Sequence, residues 1–264
     1  MAMLAARLVV ALVGIPLLLG VTFLGGWWLN LLAELITLVG LMEFYHLAKR
    51  MQLKPMVPAG LLGGLFLIPV AYLSKGMPAW FLAVVTLGLL FLFLLMFPRL
   101  GVADLAVTFL GIWYVGGLVA YLPLIRLLPG GAGALTMVFL LTWATDSGAY
   151  FCGLLFGRRH PWPRLSPGKT WAGAIGGLFG SILIALAIGP LLLPGLSYWL
   201  LGVLAILVAV TAQAGDLIES GLKRQAGVKD SGWLLPGHGG ILDRFDSLLL
   251  VAPVVYYYLV FFLS

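Results

Sequence analysis

A short polar segment near the end of an apolar chain holds many of the residues that could do chemistry. Residues 216–246 read DLIESGLKRQAGVKDSGWLLPGHGGILDRFD and hold 9 of the chain's 24 Asp, Glu, Lys and Arg residues. Charged side chains are costly beside a bilayer, so a cluster this dense indicates a functional site. Carboxylates, cationic side chains and a glycine-rich turn together suit a phosphate-bearing substrate that is held through a divalent cation.

The acidic residues of this segment fall at helical spacings. The first polar group is spaced at three, four and seven residues, which predicts one helix face. Its members are Asp216, Glu219, Ser220 and Lys223. Asp243 and Asp246 share a face at the start of the next predicted helix. Two helix ends would thus bring carboxylates toward one point, and because close carboxylates repel each other, we expect a divalent cation there.

The turn His238-Gly239-Gly240 directly precedes the second pair of carboxylates. Its backbone N–H groups are expected to point at a ligand, with a helix N-terminus behind them. Cationic side chains would surround the remaining phosphate charge. They are Lys223, Arg224, Lys229 and Arg244. A helix-dipole or membrane-surface role explains any single charge equally well, whereas the whole set favours a site.

Asp146 lies in the apolar run LTWATDSGAY, near the middle of a predicted membrane span. An ionised Asp at that depth costs about 2.5–3.5 kcal/mol. The residue is therefore predicted either to serve function in a polar cavity or to pair with Thr142, Thr145 or Ser147 between helices. In an ion-coupled transporter it would be the coupling carboxylate.

Glu43 lies near the end of the second predicted span, beside three residues that could carry positive charge. They are His46, Lys49 and Arg50. We interpret Glu43 as a member of a structural ion pair rather than as a catalytic residue.

Residues 166–170 read SPGKT, which is similar to the end of a nucleotide-binding loop. That motif requires a glycine five residues before Gly168, where this chain has Pro163, so a P-loop is excluded. Lys169 is still expected to contact a phosphate, from a cytoplasmic connection that also carries Arg158 and Arg159. Binding to the membrane surface is the alternative for these cations.

The bulk composition indicates an all-α, polytopic integral membrane protein. The 264 residues are 62% hydrophobic and only 9% charged, with a mean hydropathy of +1.14, whereas soluble domains have about 25% charged residues. The net charge of +6 is assigned to loop cations that set orientation and meet anionic headgroups, and not to nucleic acid binding. Cys152 is the single cysteine, so an intrachain disulfide is excluded.

Apolar runs of roughly 20 residues predict about nine membrane spans. They are residues 7–24, 27–48, 59–74, 79–97, 103–126, 134–156, 171–193, 197–219 and 241–263. With the N-terminus in the cytoplasm, 13 Lys and Arg residues fall on the cytoplasmic side and 2 on the other, as the positive-inside rule requires. The polar segment then faces the cytoplasm. Overlapping GxxxG spacings in span seven predict close helix packing.

The polar segment resembles the signature of phosphatidate cytidylyltransferases (CDP-diacylglycerol synthases). The similar residues are SGLKR from Ser220, then Lys229-Asp230, then LPGHGGILDRFD ending at Asp246. Asp146 to Tyr150 and Ser166 to Gly173 are similar to two further segments of this family. Residues 1–140 match only as hydrophobic spans. The chain departs from the family at Gly168, usually basic, and at Ala172, usually a glutamate.

The resemblance implies transfer of CMP from CTP to phosphatidate, with release of pyrophosphate and with one or two magnesium ions. It implies a multi-pass enzyme of the inner (plasma) membrane that forms a homodimer. Residues 1–140 would serve packing, dimer formation or lipid contact, and residues 141–264 would be catalytic, with cytoplasmic loops at 157–170 and 216–246. An ion-coupled transporter, a related prenyl-lipid nucleotidyltransferase or kinase, and a non-enzymatic scaffold are the alternatives.

The resemblance also implies roles for individual residues. Metal ligands are expected at Asp216 and Asp243, with Asp246 as an additional or indirect ligand. The other expected catalytic residues are Lys223, Arg224, Lys229, Asp230 and His238. The expected substrate-binding residues are Asp146, Arg158, Arg159, Ser166, Lys169, Gly239, Gly240 and Arg244.

Overall fold

The computed structural model describes residues 2–232 and 239–263, and this part of the chain is helical without a β-strand. The helices are α1 (Ala2–Leu24), α2 (Gly26–Arg50), α3 (Val57–Leu73), α4 (Ala79–Met96), α5 (Val102–Gly111), α6 (Tyr121–Leu127), α7 (Gly131–Phe156), α8 (Trp171–Leu192), α9 (Tyr198–Gln225) and α10 (Leu242–Leu263). A π-helical segment, Ile112–Gly117, follows α5. The hydrocarbon core of a bilayer offers no hydrogen-bond partners, and a helix pairs its own backbone N–H and C=O groups. An all-helical architecture therefore suits this apolar sequence.

The predicted all-α, multi-pass membrane fold is confirmed. Within the described residues, seven helical stretches are long and apolar enough to cross a membrane. The shorter apolar stretches Leu12–Leu24 and Val57–Leu73 correspond to two further predicted spans. The count of about nine spans and the cytoplasmic N-terminus stay predictions.

More of the polar segment is helical than the sequence indicated. The eighth predicted span ends at residue 219, but α9 continues to Gln225, and α10 already begins at Leu242. A count of apolar residues stops at the first charges, whereas Glu, Lys and Arg continue a helix readily. Only the middle of the predicted 216–246 loop is therefore non-helical among the residues described.

The chain forms two compact units, which we call the first and the second unit. The first comprises Met1–Leu124 with Leu222–Arg244, and the second comprises Ile125–Gly221 with Phe245–Ser264. The predicted functional division near residue 140 stays a prediction.

Tyr45 of α2 lies at the core of the first unit, where it is 1% exposed. Its hydroxyl donates to the Thr108 carbonyl at 2.9 Å. Gly60 of α3 and Gly111 of α5 lie against the ring so closely that a Cβ at either position would collide with it. These glycines therefore allow α3 and α5 to approach α2.

Glycines also join α7 to α8 in the second unit. A Cβ on Gly148 would meet the backbone of Gly176, and a Cβ on Gly177 would meet the Thr145 carbonyl. The close packing predicted from the GxxxG spacings is thus confirmed. The Ser181 hydroxyl of α8 then donates to the Ala205 carbonyl of α9 at 3.0 Å, which links the next pair of helices.

Candidate functional site

Lys169 and Asp216 meet in the second unit. The Lys169 Nζ lies 2.8 Å from Asp216 Oδ2, and the two side chains are 22% and 39% exposed. The Ser220 hydroxyl, one turn along α9, lies 3.4 Å from the other Asp216 oxygen. Because both charged groups stay partly accessible, a ligand can reach either of them.

A local turn places Lys169 immediately before α8. The Lys169 N–H donates to the Ser166 carbonyl at 3.2 Å, and the Ser166 N–H donates to the Trp162 carbonyl at 2.9 Å. Thr170 then caps α8, because its hydroxyl oxygen accepts the Gly173 N–H at 3.0 Å. Threonine is a favoured capping residue. The SPGKT residues thus form a fixed turn that presents the lysine, without the strand that a nucleotide-binding loop requires.

Asp243 is a buried carboxylate of the first unit with several described partners. Its Oδ1 lies 2.6 Å from Lys223 Nζ. Its Oδ2 accepts the N–H groups of Ser231 and Gly240, both at 2.8 Å, and lies 2.9 Å from the Ser231 hydroxyl. The side chain is only 6% exposed. A buried carboxylate is stable when it is paired and hydrogen-bonded, and here both conditions hold.

Glu43 of α2 is a second buried carboxylate of the first unit, at 7% exposure. Its Oε1 accepts the Ile241 N–H at 3.0 Å and its Oε2 accepts the Leu242 N–H at 2.8 Å. These donors belong to the start of α10, where N–H groups have no partner inside the helix. The Ser231 hydroxyl lies 3.1 Å from the same Oε2.

The interpretation of Glu43 as part of a local ion pair therefore needs correction. The donors to Glu43 come from the Ser231 side chain and the start of α10, whereas the Arg50 Nε–H donates to His46 Nε2 at 3.2 Å. Spacing along one helix made the nearby cations plausible partners. The N–H groups of α10 are better donors because they are buried and need an acceptor.

The N–H groups at the end of the glycine turn and just after it donate to the chain itself, whereas the sequence predicted that the turn's N–H groups point at a ligand. The N–H groups of Gly240, Ile241 and Leu242 all donate to Glu43 or Asp243. Gly239 has a φ of +82°, which favours glycine. His238 lies outside the described residues. Substrate binding by Gly239 and Gly240 stays a prediction.

Most of the remaining predicted site residues are exposed. They are Arg158, Arg159, Arg224, Lys229, Asp230 and Arg244. Ser166 is half-buried in the turn before α8. Asp246 lies one turn after Asp243 in α10, and its Oδ1 accepts the Ser247 N–H at 2.6 Å. The roles of these residues stay predictions.

Asp146 is exposed and lies within the continuous helix α7. The hydroxyls of Thr142 and Thr145 each donate to a carbonyl of their own helix at 2.8 Å. A threonine has one hydroxyl proton, so these two residues do not donate to Asp146, whereas the pairing with Ser147 stays a prediction. The helix is also unbroken around Asp146, unlike the discontinuous helices of typical transporter sites.

The two proposed metal ligands fit magnesium to different degrees. Magnesium takes one or two protein carboxylates and completes its shell with phosphate oxygens and water. Asp216 fits, because it is partly exposed and one of its oxygens has only a long contact. Both oxygens of Asp243 are engaged, so a cation would have to replace Lys223 there. In the described ranges, no three His, Cys, Asp or Glu side chains cluster to hold a metal.

Comparisons with known proteins extend the similarity beyond the motifs. The model of the cytidylyltransferase family matches residues 5–262. A phosphatidate cytidylyltransferase of Staphylococcus epidermidis is 34% identical over 256 residues, which cover 94% of this chain and 96% of the relative. That of Synechocystis sp. is 32% identical over 287 residues and 97% of both chains. That of Staphylococcus saprophyticus is 42% identical over 157 residues and 60% of both. The matches therefore include the N-terminal helices, which the motifs alone did not cover.

Proposed function

Because this chain belongs to the cytidylyltransferase family, we propose that it transfers CMP from CTP to phosphatidate and releases CDP-diacylglycerol and pyrophosphate. The observation that carries the proposal is the similarity to phosphatidate cytidylyltransferases over 94% and 97% of the chain. The clustered charges on an apolar, multi-pass chain support it, because this reaction joins a membrane lipid to a soluble nucleotide.

The proposed reaction requires little covalent chemistry from the protein. An oxygen of the lipid phosphate attacks the α-phosphorus of CTP, and the bond from that phosphorus to the bridging oxygen of pyrophosphate breaks. The lipid phosphate is already anionic, so a strong general base is not needed. Catalysis of this type depends on positioning and on neutralising negative charge.

In the second unit, the proposed roles fall to Lys169 and Asp216. Lys169 would bind a substrate phosphate in place of Asp216 Oδ2, which it contacts at 2.8 Å. The exchange would leave the Asp216 carboxylate available as a ligand of magnesium. Magnesium, when bound, would supply charge neutralisation at the phosphate oxygens.

In the first unit, Asp243 would hold the ammonium group of Lys223 in place for a phosphate. The 2.6 Å contact and the 14% exposure of the lysine side chain support a fixed position. We also propose Asp243 as a second metal ligand, with Lys223 then displaced toward the substrate. The exposed Arg224 and Lys229 would bind further phosphate oxygens, and Arg158 and Arg159 would attract anionic substrate.

We place the site on the cytoplasmic side of the inner membrane, in a homodimer. The side is supported by the excess of Lys and Arg on that side, 13 against 2 in the predicted topology. The homodimer follows from the resemblance alone, and light scattering of the purified protein tests it through the protein mass of each detergent particle.

The direct test is an assay of purified protein in detergent with phosphatidate, magnesium and CTP labelled in its cytosine ring. We expect label to pass into the organic phase as a cytidine-containing lipid. Omission of phosphatidate and an Asp216→Asn variant are the controls, and both are expected to leave the label in the aqueous phase. Failure of the wild-type protein to form a labelled lipid would contradict the proposal.

A further inference from the structure

Two buried carboxylates of the first unit meet at one hydroxyl group. The Ser231 Oγ lies 3.1 Å from Glu43 Oε2 and 2.9 Å from Asp243 Oδ2. A serine hydroxyl has one proton to donate, so it can donate to only one of the two at a time. Backbone N–H groups also donate to each carboxylate, and Lys223 contacts Asp243. Ser231 thus links Glu43 directly to the proposed metal ligand.

Glu43 also holds the first turn of the helix that carries Asp243. Its two oxygens accept the N–H groups of Ile241 and Leu242, and α10 begins at Leu242. A carboxylate at this position satisfies two N–H groups that lack a partner in the helix and is favoured by the helix dipole. Asp243 is the next residue, so its backbone position depends on this contact.

The glycines around this site have a structural explanation. A Cβ on Gly232 would collide with Glu43 Oε1, and a Cβ on Gly240 would collide with the Glu43 carboxylate and with Ser231 Oγ. The chain on both sides of the undescribed residues 233–238 therefore packs directly against Glu43. Glycine at these two positions permits the contact with Glu43, and it would also permit a substrate to approach the backbone.

We propose that Glu43 is a positioning residue of the transferase. It holds Ser231 and the first turn of α10, and through them it fixes the Asp243 carboxylate. This inference rests on the proposed function, in which Asp243 acts on the metal or on Lys223. Glu43 itself does not touch the substrate in this account, so its loss should lower kcat more than it raises KM.

The test compares Glu43→Gln with Glu34→Gln, a half-buried glutamate of the same helix. Amide hydrogen exchange of the substrate-free protein is measured on peptides that contain residues 241 and 242. We expect faster exchange there in Glu43→Gln and wild-type exchange in Glu34→Gln. The kcat of Glu43→Gln should fall about 10- to 100-fold, the usual cost of losing a group that orients a ligand residue. KM for CTP should change less than kcat.

A second variant keeps the inference testable if Glu43→Gln does not fold. Ser231→Ala removes the shared hydroxyl but leaves the Ser231 backbone N–H for Asp243. Its kcat should also fall, with α10 exchange close to that of the wild type because Glu43 is still present.

The possible outcomes test the capping contact, the positioning role and the proposed function separately. Wild-type exchange at residues 241 and 242 in Glu43→Gln would overturn the capping contact. Faster exchange in Glu43→Gln with an unchanged kcat would show that Glu43 only caps the helix, and would overturn its positioning role. An unchanged kcat in Ser231→Ala would also overturn the positioning role. A wild-type protein that forms no cytidine lipid would overturn the proposed function and the catalytic part of this inference, while the exchange result would still decide the capping contact.

Discussion

Lys169 and Asp216 form an ion pair, with 2.8 Å between Nζ and Oδ2. One comes from the turn before α8 and the other from α9, so tertiary packing brings together two residues that the sequence assigned to a phosphate and to a metal. Both are partly exposed, and solvent therefore weakens their attraction. Because the attraction is weak, Lys169 can exchange Asp216 for a substrate phosphate, and Asp216 can exchange Lys169 for a cation, at a small cost in free energy.

Lys169→Ala should impair catalysis much more than folding. The partly exposed pair contributes about 0–1 kcal/mol to stability. Loss of a charge-stabilising donor should lower kcat/KM on the order of 100-fold. Steady-state kinetics and thermal unfolding of the same preparation measure the two effects. Lys75→Ala, at an exposed lysine beyond α3, is the control and should keep wild-type kinetics. A wild-type kcat/KM in Lys169→Ala would make this lysine a surface charge only.

Asp243→Asn should abolish turnover and also destabilise the protein. An amide cannot accept from Lys223 and from the two backbone N–H groups as a carboxylate does, so we expect a loss of about 1–3 kcal/mol. Asp104 provides a matched control, because it is also buried and accepts the Lys54 and Gly101 N–H groups at 2.6 and 2.9 Å. Asp104→Asn should lose similar stability and keep its turnover. Equal activities of the two variants would refute the role of Asp243.

The sequence predicted the all-helical, multi-pass fold, because long apolar runs are a local signal, but it ended the eighth span before α9 ends. It did not predict the partners of Glu43. Nearby cations in α2 suggested a local ion pair, whereas the true donors lie at Ser231 and the start of α10. A glutamate inside an apolar span was itself a signal of function. Its target could be found only from tertiary structure.

The ends and interruptions of helices were also difficult to predict. The π-helical segment at Ile112–Gly117 lies within a uniformly apolar run, where hydropathy does not distinguish one helical form from another. The glycine turn resembled a ligand cradle in the sequence. In the structure the Gly240 N–H donates to Asp243 and the next two N–H groups donate to Glu43, and only the folded position of Glu43 reveals this.

Activity should depend on a divalent cation. Treatment with a chelator is expected to abolish turnover, and added magnesium is expected to restore it, because Asp216 needs a cation partner once Lys169 binds phosphate. Circular dichroism should remain unchanged during the treatment, since the helices do not require the metal to fold. Full activity in the chelator, with metal content below the protein concentration by elemental analysis, would count against this mechanism.

The glycine contact between α7 and α8 should tolerate no side chain. Gly148→Ala would place a Cβ against the Gly176 carbonyl, and overpacking of this kind costs about 1–3 kcal/mol. Gly202→Ala in α9 is the control, because nothing lies within 4 Å of its Cβ position. Thermal unfolding in detergent should show a lower midpoint for Gly148→Ala and an equal or higher midpoint for Gly202→Ala. The opposite order would contradict the helix packing.

The fate of the individual phosphates of CTP tests the central claim most directly. Purified protein is given phosphatidate, magnesium and CTP labelled with ³²P at either the α- or the γ-phosphate. A cytidylyltransferase is expected to place the α-label in the lipid and the γ-label in pyrophosphate. Transfer of the γ-label to the lipid would identify a kinase, and the absence of both labels from the lipid would contradict nucleotidyl transfer altogether.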